Sequence, residues 1–248
     1  MLIIEGLLLG IAIGTVLGVV GAGGAILAVP GLVAVMGLSA TAATTSSIVI
    51  VGAAAFSGAA RRVKTKNIDI KTGLIFSLLG FLGTLLGTRL VPLFPDRVLI
   101  ILFALLMFAA AIGMWRNQVH DKEITAGAWP LVILTASGIG ILTGLFGIGG
   151  GFLIVPALVL ILGIKVKLAA GTSLVTITLN SVIALLLRHQ YWHLVPWSST
   201  LVFTGAAVIA SFVTSPIASK LPTKVLARAF SILVAMVATF MVVTQGMN

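Results

Sequence analysis

Long uncharged apolar runs alternate with short polar breaks, and within each run the apolar residues fill every face rather than one. Runs of about 18 residues or more predict helices able to cross about 30 Å of hydrocarbon. In order, the expected spans are 2–20, 39–60, 72–91 and 98–115, then 129–146, 165–187, 197–219 and 225–243. Polar turns fall at 61–71 and 92–96, and a longer polar stretch, 117–125, divides the chain near its middle. Gly6, Gly10, Gly14 and Gly18 recur at every fourth position, a smooth stripe suited to close helix–helix contact. Gly80, Gly83 and Gly87 mark one side of the 72–91 span in the same way.

One stretch interrupts this pattern, and it occurs twice. Gly18-Val-Val-Gly-Ala-Gly-Gly-Ala-Ile-Leu-Ala-Val-Pro30 returns 126 residues later as Gly144-Leu-Phe-Gly-Ile-Gly-Gly-Gly-Phe-Leu-Ile-Val-Pro156. Clustered glycines inside apolar sequence let the backbone leave helical geometry and leave its N–H groups uncovered. The apolar residues that follow, up to Gly37 and Gly163, predict a short helix after each break, with Pro30 and Pro156 in its first turn. The likeness extends beyond the glycines. At an offset of 127, Pro95–Leu99 lies over Pro222–Leu226, Phe103 over Phe230 and Arg61 over Arg188. The chain therefore reads as two repeats, 1–120 and 121–248, each with a glycine-broken or re-entrant helical segment.

Composition agrees. Sixty per cent apolar and eight per cent charged residues describe an all-α integral membrane protein, since a soluble domain carries about 25% charge. With no basic residue before Gly21 and Glu5 where a basic n-region would sit, the first run is expected to be a span rather than a cleaved leader. The net charge of +10 sits in short loops, which speaks for membrane orientation and against nucleic acid. It also chooses between parallel and inverted halves. An even number of crossings per half would split Lys and Arg eight against seven between the two sides; an odd number splits them twelve against three. Cytoplasmic bias of basic residues selects the odd count, so the halves are expected to be inverted. Trp115, Trp129, Tyr191, Trp192 and Trp197 fall at span ends, where aromatic side chains anchor in the headgroup layer.

Candidate chemistry is neutral. Glu5 is the one acid within an apolar run, so a buried carboxylate relay has no residues to work with. The chain has no cysteine, and His120, His189 and His193 lack a second ligand at helical spacing, so neither a metal nor a cofactor is expected. No nucleophile stands with a base, and an enzyme is not expected. What remains is the backbone of Gly23, Gly24, Gly149, Gly150 and Gly151, with Thr45, Ser46, Thr172, Ser173 and Asn180 downstream. Bare N–H groups, hydroxyls, an amide and two helix N-termini make a donor-rich lining free of carboxylates, which favours an anion.

The duplicated Gly-x-Gly-Gly-(Gly)-x-x-x-Val-Pro element, and the Ala-Thr-Thr-Ser46 and Ala-Gly-Thr-Ser173 segments after its copies, resemble the sulfite exporter family, TauE/SafE. The first copy departs by carrying Ala25 where the second has Gly151. The resemblance implies movement of a sulfur-containing anion such as sulfite, sulfoacetate or thiosulfate across the cytoplasmic membrane. The expected function is a secondary carrier working by alternating access, with a passive anion channel of the same fold as the alternative. The coupling ion, proton or sodium, and the oligomeric state stay open.

Overall fold

Glycine spacing decides how the helices pair. A computed structural model of the chain describes residues 2–90, 93, 96–116, 129–146 and 151–246. Its helices are α1 Leu2–Val20, α2 Gly24–Met36, α3 Ala40–Lys64, α4 Ile70–Leu90, α5 Asp96–Arg116, α6 Trp129–Phe146, α7 Gly151–Pro156, α8 Val166–Leu187, α9 Trp197–Lys220 and α10 Thr223–Gly246. A π-helical turn, Ala157–Ile161, continues α7, and a short 3-10 helix, His189–Leu194, links α8 to α9. No strand occurs among the described residues, so the fold is all-α. Thr41–Lys64, Ile70–Leu90, Val166–Leu187 and Trp197–Lys220 are long and apolar enough to cross a membrane. Leu78, Leu134 and Ile209 are each more than half exposed on the outer surface, which suits hydrocarbon better than water.

The glycine stripe of α1 lies against α9: Gly6 under Phe203, Gly10 against the Phe203 carbonyl, Gly14 against Ala207, Gly18 against Ser211 and Thr214. The stripe of α4 lies likewise against α6, with Gly83 on Ser137 and Gly140 and Gly87 on Ile141. Both pairs run parallel, because residue numbers rise together along each. Gly24 meets Leu17 and Ile13 while Gly31 meets Leu9, so α2 folds back antiparallel onto α1. Ser57 bonds the Val208 carbonyl and Thr200 bonds Ser46, which sets α3 parallel to α9. Gly52 on Ser181 and Gly58 on Leu174 set α3 antiparallel to α8. α1, α3 and α9 thus run one way, and α2 and α8 the other.

One end of the bundle gathers the basic residues. Arg62 reaches the Lys167 carbonyl, and Lys167 Nζ donates to the Ser219 carbonyl at 2.8 Å. The Lys71 ammonium lies 4.8 Å from the Trp129 ring centre and the Arg228 guanidinium 5.3 Å from that of Trp115, so two of the predicted anchors stack under cations. Arg89 and Arg188, at the far ends of α4 and α8, face the other way.

Three local expectations change. Pro30 lies in the middle of α2 and Pro156 closes α7, so neither stands in a first turn. The reason is that each helix starts straight from its glycines, several residues ahead of the proline. Past Pro156, which has no N–H to give, the winding widens to a π-turn closed by Leu162 N–H on the Ala157 carbonyl at 3.3 Å. The charged segment 61–71 is not all loop either, for Arg61 to Lys64 complete α3. Asp69 then caps α4, its carboxylate accepting from the Thr72 N–H at 3.0 Å and the Thr72 hydroxyl at 2.6 Å.

Candidate functional site

The first glycine break opens as expected. Gly21 and Gly23 take φ of 76° and 83°, left-handed values that a side chain resists. The Gly21 N–H still closes α1 on the Leu17 carbonyl at 2.8 Å, and the Ile26 N–H bonds the Gly23 carbonyl at 3.0 Å. Between them the N–H groups of Ala22, Gly23 and Gly24 take no partner among the described residues, although all three residues are buried. Buried N–H groups without partners are rare, and here they sit at the N-terminus of the 13-residue α2.

Helix α8 backs this break. The Ser173 hydroxyl donates to the Gly21 carbonyl at 2.6 Å, with the Ala170 carbonyl at 2.9 Å. Thr172 accepts from the Asp69 N–H at 3.0 Å and so fastens the start of α4. Gly151 opens α7 higher along the same helix, where a side chain would run into Ile177. Gly149 and Gly150 lie outside the described residues. Thr45 and Ser46 are fully buried near the start of α3, away from the first break. Thr45 donates to the Thr41 carbonyl at 2.8 Å, and Ser46 accepts from Thr200 at 3.3 Å.

Asn180 is placed differently. It lines a narrow pocket between α4, α6 and α8 with Phe76, Gly80, Thr84, Gly140, Thr143 and Thr176, and with Ile154 of α7. Its side-chain oxygen accepts from Ser77 at 2.7 Å. The candidate residues therefore form no single shell. Ser173 joins Gly21 at the first break, Asn180 lines the α4–α6 pocket, Gly151 packs on Ile177 of α8, and Thr45 and Ser46 stand apart. Of the expected hydroxyls, Thr45 and Ser173 donate to main-chain carbonyls, as Thr176 and Thr178 on α8 also do. Donors still available to an anion among the described residues are backbone N–H groups, the Asn180 amide and the hydroxyls of Ser46 and Thr172, which accept one bond each.

Sequence reading missed Arg62. It reads as one more basic residue in a solvated turn, yet it is fully buried where α1, α3 and α8 meet. Nη2 donates to the Gly18 and Val19 carbonyls at 2.8 and 3.1 Å, and Nη1 to the Lys167 carbonyl at 3.1 Å. Nε has no partner. Arg62 thus satisfies the last carbonyls of α1, the end of a helix where positive charge is favoured.

Residues 6–241 match the family model described as Sulfite exporter TauE/SafE. The chain belongs to this family. A probable membrane transporter protein of Xylella fastidiosa strain 9a5c is 31% identical over 240 residues, covering 93% of this chain and 91% of the relative. The probable membrane transporter protein YunE of Bacillus subtilis is 26% identical over 255 residues, covering 92% and 93%. A shorter match, 39% identical over 88 residues, joins the chain to the probable membrane transporter protein MJ0441 of Methanocaldococcus jannaschii. No solved structure matches it. This TauE/SafE member is a membrane transporter, and its relatives are named as transporters rather than enzymes.

Proposed function

We propose that this TauE/SafE protein is a multi-pass secondary carrier of the cytoplasmic membrane. Its cargo is a small anion, a sulfur-containing oxyanion or organosulfonate such as sulfite, sulfoacetate or thiosulfate. The observation that carries the anion reading is the run of buried N–H groups at Ala22, Gly23 and Gly24 that take no partner among the described residues. Oriented N–H groups at a helix N-terminus hold an oxyanion without a formal positive charge, so release stays easy. Gly149, Gly150 and Gly151 supply the matching donors in the second half, and the Asn180 amide adds one more. Ser173 and Thr172 position the first break and α4, while Ser46 ties α3 to α9 through Thr200 and Thr45 bonds back within α3.

Alternating access follows from two inverted repeats, 1–120 and 121–248. Three features support that reading. α1, α3 and α9 run against α2, α4, α6 and α8, as an odd number of helices per repeat requires. The first helix of each repeat packs on the fourth of the other, α1 on α9 and α6 on α4. Basic residues collect at one end of the bundle, the end expected to face the cytoplasm.

The deciding measurement is flux into proteoliposomes, comparing sulfite, thiosulfate and sulfoacetate with taurine, whose ammonium cancels its sulfonate charge. The anions are expected to accumulate against a gradient, which a channel cannot do. Gly23→Ala and Gly150→Val are expected to bring flux to background with membrane insertion intact. Unchanged flux in both variants would sink the glycine assignment, and strictly downhill flux would replace the carrier by a channel.

A further inference from the structure

We propose that the pocket between α4, α6 and α8 is a sodium site. Its role in coupling rests on the carrier reading above; its binding of the ion does not.

The hydroxyl hydrogens on this wall already have acceptors. Thr84 donates to the Gly80 carbonyl at 2.8 Å, with the Gly140 carbonyl at 3.2 Å. Thr143 donates to the Ile139 carbonyl at 2.7 Å. Thr176 donates to the Gly73 carbonyl at 3.0 Å, with that of Thr172 at 3.4 Å. A carbonyl can only accept, and a threonine hydroxyl has one hydrogen. All three hydroxyls are therefore committed as donors, and only their oxygen lone pairs are left to face a ligand. Gly80 and Gly140 add bare backbone to the same wall. An anion would meet these lone pairs, with the Asn180 amide as the sole side-chain donor among the described lining residues; a cation would meet ligands.

The chemistry narrows the cation. Hard oxygens suit sodium, magnesium and calcium, but among the described residues no Asp or Glu lines the pocket to offset a second positive charge. Neutral hydroxyls and carbonyls match a monovalent ion, as in transporters whose helices expose backbone oxygen. A proton is a poor fit, because no described lining side chain titrates near neutral pH. The space is small, about 260 Å³ with its open part included.

This polarity is not a by-product of duplication. At the equivalent places of the first repeat, Val49 stands for Thr176, Ala53 for Asn180 and Leu17 for Thr143. Only Thr84 keeps a hydroxyl counterpart, Ser211, and that hydroxyl is buried without a partner. The second repeat has gained a cluster of oxygen ligands where the first is apolar.

The test uses the purified full chain in detergent, melted in sodium, potassium and choline chloride at equal ionic strength. Sodium alone is expected to raise Tm by about 3–6 °C once it is tenfold above its dissociation constant. Thr143→Val, which keeps the shape and removes the oxygen, is expected to need at least about tenfold more sodium for the same rise, as one ligand is lost. Thr143→Ser, which restores the oxygen, is expected to behave as the parent. Two results would overturn the site: no sodium-specific rise in the parent, or a rise in Thr143→Val at unchanged sodium. A rise produced by sulfite in choline and lost in Thr143→Val would also overturn it, by giving the pocket to the anion. A sodium rise in protein that moves no anion in liposomes supports the site and removes the carrier reading alone.

Discussion

The α1–α9 and α4–α6 pairs are built from equivalent residues and end up holding different things between them. Both bring two backbones together over glycine, Gly14 on Ala207 in one pair and Gly140 on Gly80 in the other. Both bury a phenylalanine at the same place, Phe203 and Phe76. In α1–α9 the seam closes over apolar side chains and strands the Ser211 hydroxyl; in α4–α6 it keeps an oxygen-lined pocket. Close approach is thus common to the two glycine-paired seams, whereas the pocket depends on a few side chains that the matched stretches do not share. The largest effects should fall on the frame and should be equal in both pairs. Gly14→Leu and Gly140→Leu would each drive a side chain into facing backbone and are expected to abolish monodisperse protein in detergent. If only one of them did so, the two pairs could not be equivalent.

The two ends of the bundle sharpen the contrast. Arg62 ties three helices at the basic end through carbonyls. Its equivalent, 127 residues on, is His189, which is exposed in the short helix after α8. Arg62→Met strands the Val19 and Lys167 carbonyls and should cost about 2–4 kcal/mol, the scale of hydrogen bonds to a charged group lost from a buried site. For a chain of this size that is a fall in Tm of about 4–16 °C. His189→Ala should stay within about 0.5 kcal/mol, as exposed substitutions do. Thermal unfolding in detergent reads both, and equal losses would mean that burial at the basic end adds nothing.

Much of this was legible before any coordinates. The glycine stripes announced the contacts of α1 and α4, because four-residue spacing keeps small residues on one face of a helix. The break at Gly21 and Gly23 was visible for the same reason that it forms, since clustered glycines have no side chain to hold them helical. Three things were not legible. Donor direction was invisible: Thr45 and Thr176 look like free hydroxyls in sequence and turn out to be bonded to carbonyls. Arg62 was hidden because burial at a helix end depends on which other helices arrive there, and those come from residues far along the chain. The grouping of Asn180 with Thr84 and Thr143 needed the α4–α6 pairing, which no local pattern carries.

Smaller effects should come from Thr84 and its match 127 residues on, Ser211. Thr84→Val removes a hydroxyl bonded to the Gly80 carbonyl and is expected to cost about 1 kcal/mol. Ser211→Ala removes a buried hydroxyl with no partner and is expected to be neutral or to gain about as much. Opposite signs at equivalent sites would show that polarity serves a purpose in one pair and is left over in the other. The same sign at both would say that the pocket is packing and nothing more.

The smallest effect is one for which the chain supplies its own control. Gly138 on α6 and Gly205 on α9 lie outside the stripes, and a side chain at either would meet open space. Their equivalents in the opposite repeat are Ala12 and Leu78, both on the outer surface, so the frame already tolerates a side chain there. Gly138→Ala and Gly205→Ala should therefore stabilise by about 0.5 kcal/mol each, the entropy that a helical glycine otherwise loses on folding. The gains should add, because the two positions are on different helices and share no neighbour within reach. A loss at Gly205 would mean that its bare surface is a contact for something outside this chain, and the face of α9 would then have to be read as an interface rather than as lipid-facing.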